Sequence, residues 1–100
     1  MAVKVGLFVR LEAAGGKEGE LEQFLTGAQQ LVEQEDGTTV WYAVKFGPST
    51  FGIFDAFPDD AGRQAHMTGK VAAALMANAA DLLSSPPVIE NIDVLAAKLS

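Results

Sequence analysis

Five aliphatic residues at every second position constrain this chain more than anything else. Val3, Val5, Leu7, Val9 and Leu11 share one phase, and Lys4, Gly6, Phe8, Arg10 and Glu12 share the other. A period of two with branched side chains is a strand with one strongly apolar face. The spacing predicts a strand over residues 3–13, broken by Gly15-Gly16. A strand with one such face needs neighbouring strands and a covering layer.

The rest of the chain supplies both. Leu21, Phe24, Leu25, Ala28, Leu31 and Val32 recur at spacings of three and four, which predicts a helix over 17–35. Glu18, Glu20 and Glu22 favour the positive end of its dipole, and Gly37 is expected to end it as a left-handed C-terminal residue. Residues 39–46 and 51–57 are rich in aromatic and β-branched residues. Gly47-Pro48-Ser49-Thr50 between them suits a hairpin. Asp59 is placed to cap a short helix over 60–66, and Thr68 to cap a second over 69–83. Val71, Leu75, Ala79, Leu82 and Leu83 form the stripe of that second helix. Ser84-Ser85-Pro86-Pro87 stops it, and residues 88–99 return to strand. The order β-α-β-β-α-α-β is ferredoxin-like: an α+β fold with a four-stranded antiparallel sheet and helices on one face.

At 100 residues this is one domain, spanning 1–100. Its 49% hydrophobic content is high for so small a core. Phe8, Trp41 and Phe54 each stand opposite another apolar series on their strands. The second sheet face is therefore also apolar, which predicts a homodimer packed sheet against sheet. Gly6 and Gly52 inside strands predict close approach of other groups. A formal charge of −6 argues against a nucleic-acid partner. With no cysteine and one histidine, thiol chemistry and multi-histidine metal sites within one chain are excluded. No stretch approaches the roughly 20 apolar residues of a membrane span, and no signal peptide is visible, so a cytoplasmic protein with no membrane partner is expected.

Neither a phosphate-binding loop nor a Gly-x-Ser-x-Gly nucleophile motif occurs. His66 has the one side chain that ordinarily titrates near neutrality, and it could act as a base. The alternative is a helix-end histidine capping carbonyls. Trp41 and Tyr42, being adjacent on a strand, point to opposite faces. Tyr42 could donate to a substrate oxygen, or both could be core aromatics. Phe24, Phe51, Phe57, Met67 and Met76 could wall an apolar cavity or simply fill a core. Asn78, at the edge of the last helix's stripe, could orient a substrate oxygen or be solvated. Arg10 is expected to pair with Asp55 or Asp93.

One run carries a family resemblance: Phe51-Gly52-Ile53-Phe54-Asp55-Ala56-Phe57, an acidic helix start, then Arg63-Gln64-Ala65-His66. It resembles the antibiotic biosynthesis monooxygenase family of dimeric α+β barrels. There an aromatic third strand ends in an acid, often with a tryptophan, and a short helix closes with a histidine. His66 matches that histidine and Asp55 the acid, where Glu is more usual; Phe57 stands where tryptophan is common. The resemblance implies a homodimer with a pocket between sheet and helices in each subunit. It implies oxidation of a quinol or polycyclic phenol by molecular oxygen, with no metal or flavin cofactor. His66 and Tyr42 would then be the catalytic residues, and Trp41, Phe51, Phe57, Met67 and Asn78 would bind substrate. Haem-degrading relatives use an Asn, a Trp and a His in a pattern this chain lacks. The other reading is a non-catalytic dimeric barrel that binds a small apolar ligand or is associated with stress.

Overall fold

The computed structural model describes residues 2–99. It comprises β1 (Val5–Glu12), α1 (Glu18–Val32), β2 (Val40–Lys45), β3 (Thr50–Phe57), α2 (Asp60–Met67), α3 (Lys70–Leu82) and β4 (Val88–Asp93). The strands form one antiparallel sheet in the order β2-β3-β1-β4. This is the ferredoxin-like fold that the alternation and helical stripes predict.

The phase of β1 decides the layers. Leu7, Val9 and Leu11 face the helices and are buried, as are Phe51, Ile53 and Phe57 of β3. Leu21 and Leu25 of α1 and Leu75 and Leu82 of α3 close over them in one apolar cluster. Each fully buried aliphatic or aromatic side chain there contributes roughly 1.5–3 kcal/mol.

Several boundaries differ from the sequence expectation. Helix α1 stops at Val32, and Glu35 N–H then donates to Val32 O in a tight turn. Acidic residues at 33, 35 and 36 oppose the negative end of the dipole, which disfavours continuing the helix. Gly37 is not left-handed; among the described residues only Gly16 has positive φ, at 81°. Gly37 serves close approach instead. A Cβ on Gly62 would come within 2.8 Å of Gly37 O, and one on Gly37 within 3.3 Å of Gly62 Cα. The α1–β2 connection thus lies directly on α2.

Asp59 caps α2 as expected, accepting from Gly62 N–H at 2.9 Å. Thr68 does not cap α3, whose N-cap is Gly69. Its hydroxyl turns back to Gln64 O and Ala65 O and closes α2. Strand β4 ends at Asp93 rather than running to residue 99, because its partner β1 begins at Val5, opposite Asp93.

The uncovered sheet face is aromatic. Phe8 and Phe46 meet edge to face at 6.2 Å, and Tyr42 stacks on Phe54 at 6.5 Å. Phe46 lies on the bare backbone of Gly52, where a Cβ would meet its ring at 2.9 Å. Arg10 forms no ion pair with Asp55 or Asp93. Its guanidinium sits 4.9 Å from the Phe46 ring centroid, since Arg10 shares the open-face phase and Asp55 the helix-facing one.

Candidate active site

Strand β3 carries one charged residue in its inward phase. Between Ile53 and Phe57 stands Asp55, 1% exposed. A carboxylate this deep requires a partner, and the partner is His66, buried near the end of α2. Arg63, one turn earlier, anchors α2 to the sheet by donating to Gly6 O and Ile92 O, which holds the helix against β1 and β4.

The imidazole is gripped from both edges. Its Nδ1 donates to Glu35 Oε1 at 2.5 Å, and its Nε2 lies 3.0 Å from Asp55 Oδ2. Thr38 O–H donates to Glu35 Oε1 at 2.7 Å and steadies that carboxylate. Carboxylates only accept hydrogen bonds, so a carboxylate facing each ring nitrogen favours a proton on each. Burial alone would lower the His66 pKa. The contacts with Asp55 and then Glu35 outweigh it, and the net shift is upward from 6.5. Two carboxylates at the ring edges and the upward shift both favour the imidazolium form of His66. The Phe57 ring backs the imidazole, 5.5 Å away and tilted by 43°.

Asp55 is nonetheless incompletely satisfied. Its contact with Nε2 is close but poorly aligned, and neither carboxylate oxygen has a donor in hydrogen-bond geometry. Asp55 and His66 form the polar end of a cavity of about 120 Å³. Leu7, Val9 and Ile53 make its sheet side, and Val71, Ala72 and Leu75 its helix side. Met67, Met76 and Ile89 stand at its mouth, each more than a third exposed.

Of the candidate residues singled out in the sequence, Asp55, His66, Met67 and Met76 meet at this cavity, with Phe57 behind the imidazole. The others lie elsewhere. Tyr42 is 58% exposed on the open sheet face, on the other side of the sheet from His66. Trp41 packs under the helices, its indole N–H buried without a partner. Phe51 belongs to the main core cluster and does not line the cavity. Asn78 donates to Ala74 O at 2.8 Å on the exposed side of α3.

Asp55 carried a readable signal, a charge in an otherwise apolar inward phase. Glu35 did not, standing 31 residues from His66 in an acidic run. Among the described residues no group is arranged to hold a metal ion; Glu35 and Asp55 lie at different edges of the ring and do not converge on a point. No helix among them is long and apolar enough to cross a membrane.

No protein-family model matches the chain, and no curated protein matches it. Solved structures do. A protein from Caulobacter crescentus and one from Nitrosomonas europaea, each described as a "putative antibiotic biosynthesis monooxygenase", share the fold. Their TM-scores are 0.80 and 0.82 at 17% and 14% identity, covering 95% and 92% of this chain and 92% and 99% of theirs. At such identities the likeness speaks for the fold alone. NE2512 from Nitrosomonas europaea, described as a protein of unknown function, is 64% identical with a TM-score of 0.97, over 99% of this chain and 96% of that one. The chain belongs to the same family as NE2512, on a ferredoxin-like fold shared with those monooxygenase-named proteins.

Proposed function

We propose that the protein is a cofactor-free oxygenase of small quinols or phenols, working at the Asp55–His66 end of the apolar cavity. The observation that carries this reading is the Asp55 carboxylate, buried and without a hydrogen-bond donor, at the one polar end of that cavity. A buried acceptor held only by a misaligned contact with His66 is costly, and a substrate O–H would satisfy it. The base role expected of His66 passes in this reading to Asp55, because a ring protonated on both nitrogens cannot accept a proton.

The substrate O–H bond breaks, its proton goes to Asp55, and its electron pair stays on the substrate oxygen. His66⁺ lies beside the resulting anion and stabilises it. The anion passes one electron to O₂, and the radical pair collapses to form a carbon–oxygen bond. For a phenol reacting through its keto tautomer, loss of water completes the balance: CH₂ plus O₂ gives C=O plus H₂O. Cavity size limits the substrate. An apolar cavity of roughly 150 Å³ holds benzene; at about 120 Å³ this one is somewhat smaller, so it takes no more than one ring, part of which reaches into the open mouth. A second ring would lie across Met67, Met76 and Ile89, where thioethers adapt to its shape.

The second sheet face supports a homodimer in the same proposal. Tyr42, Phe46 and Val88 are more than half exposed there. Arg10 and Glu90 share that face with opposite charges, which two copies related by a two-fold axis can pair.

The test of the reaction is oxygen uptake by metal-free protein given chemically reduced menadione. Uptake above the uncatalysed rate, abolished in Asp55→Asn, is expected. Binding of 1-naphthol without oxygen uptake would leave a ligand-binding protein in place of an enzyme.

A further inference from the structure

Glu35 makes no contact with the cavity, yet it holds the histidine that does. We propose that Glu35 is a positioning residue of this site: from outside the cavity it orients the His66 ring and sets how many protons the ring carries beside Asp55. The inference rests on the reading of Asp55 and His66 as the working pair.

Three observations carry it. Glu35 Oε1 lies 2.5 Å from Nδ1 and fixes that nitrogen as the donor, which turns Nε2 toward Asp55. The Glu35 side chain is 19% exposed against 1% for Asp55, so it is the member of the triad in touch with solvent. Its place is built rather than incidental. The tight turn after α1, the Thr38 hydroxyl and the Gly37–Gly62 approach all bring the carboxylate onto α2. On the α3 side, Gly69 leaves room for it, since a Cβ there would stand 3.3 Å from Glu35 Oε2.

The charged groups around the ring are few. Asp55 faces it from β3 and Glu35 from the α1–β2 connection. Arg63 of α2 is turned to Asp60 and to the carbonyls of Gly6 and Ile92. Val71 and Leu75 of α3 face the cavity with apolar side chains. Among the described residues no other ion pair reaches His66. Removing the Glu35 charge therefore takes away one of two counter-charges. The ring then loses its second proton at lower pH, and the imidazolium beside the substrate is lost with it.

The experiment is NMR titration of the imidazole, unambiguous because the chain has one histidine, in the native protein, Glu35→Gln and Glu35→Asp. The Glu35→Gln midpoint is expected to fall by about 1 pH unit or more. Glu35→Asp, which keeps the charge but shortens its reach, falls between Gln and native. In oxygen uptake, the alkaline limb of kcat moves down by the same interval while KM stays unchanged. A structural prop alone would lower the unfolding midpoint and leave both titrations in place. Equal His66 midpoints in native and Glu35→Gln protein overturn the proposal. If Glu35→Gln does not fold, a Glu35→Asp midpoint below native supports it and an equal one overturns it. If no variant takes up oxygen, the NMR titration still decides the role of Glu35, and the oxygenase reading falls alone.

Discussion

Replacing His66 with leucine tests the electrostatic account of the site most directly. The side chain is 8% exposed and lies against a carboxylate that is 1% exposed, with a second carboxylate on its other edge. Leucine removes the cation and leaves two anions with no charge between them. Glu35 can relax toward solvent; Asp55, enclosed by β3 and α2, cannot. Losing one partner of a buried pair costs about 3–5 kcal/mol, a large part of the roughly 5–15 kcal/mol that holds a domain of this size together. The melting temperature should fall by on the order of 12 °C or more. The pH dependence has a definite sign. The folded-state pKa of His66 is raised above 6.5, so the stabilisation is fully present below 6.5 and is lost as pH rises through the higher folded value. Urea unfolding followed by the single tryptophan, Trp41, measures the difference between native and variant across that range. Adding Asp55→Asn to the leucine variant should recover about 1–3 kcal/mol, because the uncompensated charge is gone. A loss below about 1 kcal/mol in His66→Leu, or no recovery in the double variant, refutes the reasoning.

Gly62→Ala places a Cβ 2.8 Å from Gly37 O. It should push the connection off α2, lower the unfolding midpoint and bring the His66 titration down with it, both read on one sample. Leu21→Ala, at a fully buried position, should cost about 2–5 kcal/mol in urea unfolding. Met76→Trp, at the exposed mouth, should weaken 1-naphthol binding measured by calorimetry while thermal stability stays within about 0.5 kcal/mol. Tyr42→Glu, on the open face, should convert a sedimenting dimer to monomer at micromolar concentration without unfolding it. Unchanged sedimentation of native and variant as monomers would remove the dimer.

The layers of the fold were legible because burial has a period. Alternation in β1 marked its strongly apolar face and the stripes of α1 and α3 marked the sides they bury, but only the packing decided which phase of each strand meets the helices. Asp59 was readable as a cap because capping is local, needing one side chain and amides a turn away. The misread details turned on a choice between local partners or on partners distant in sequence. Thr68 lay between two helices and closed the earlier one. Gly37 owed its smallness to Gly62, not to its own backbone angle. Arg10 met an aromatic ring on the open face, where no acid was needed.

The candidate site shows the same division. Composition left a single histidine, and the family resemblance matched Asp55 to its strand acid, so both residues stood out in the sequence; Asp55, however, was expected, as an alternative to Asp93, to pair with Arg10 and not to act beside His66. Tyr42 and Asn78, chosen for their chemistry, lie away from the pair because strand phase and helix face put them there. Glu35 sits in an acidic stretch in which nothing distinguishes it from Glu33 or Asp36. Only the packing of the α1–β2 connection against α2, through two glycines, brings it to the imidazole. Periodicity, which repeats along the chain, can be read one residue at a time. The meeting of two loops cannot, because it depends on shape complementarity between surfaces that exist only once the chain has folded.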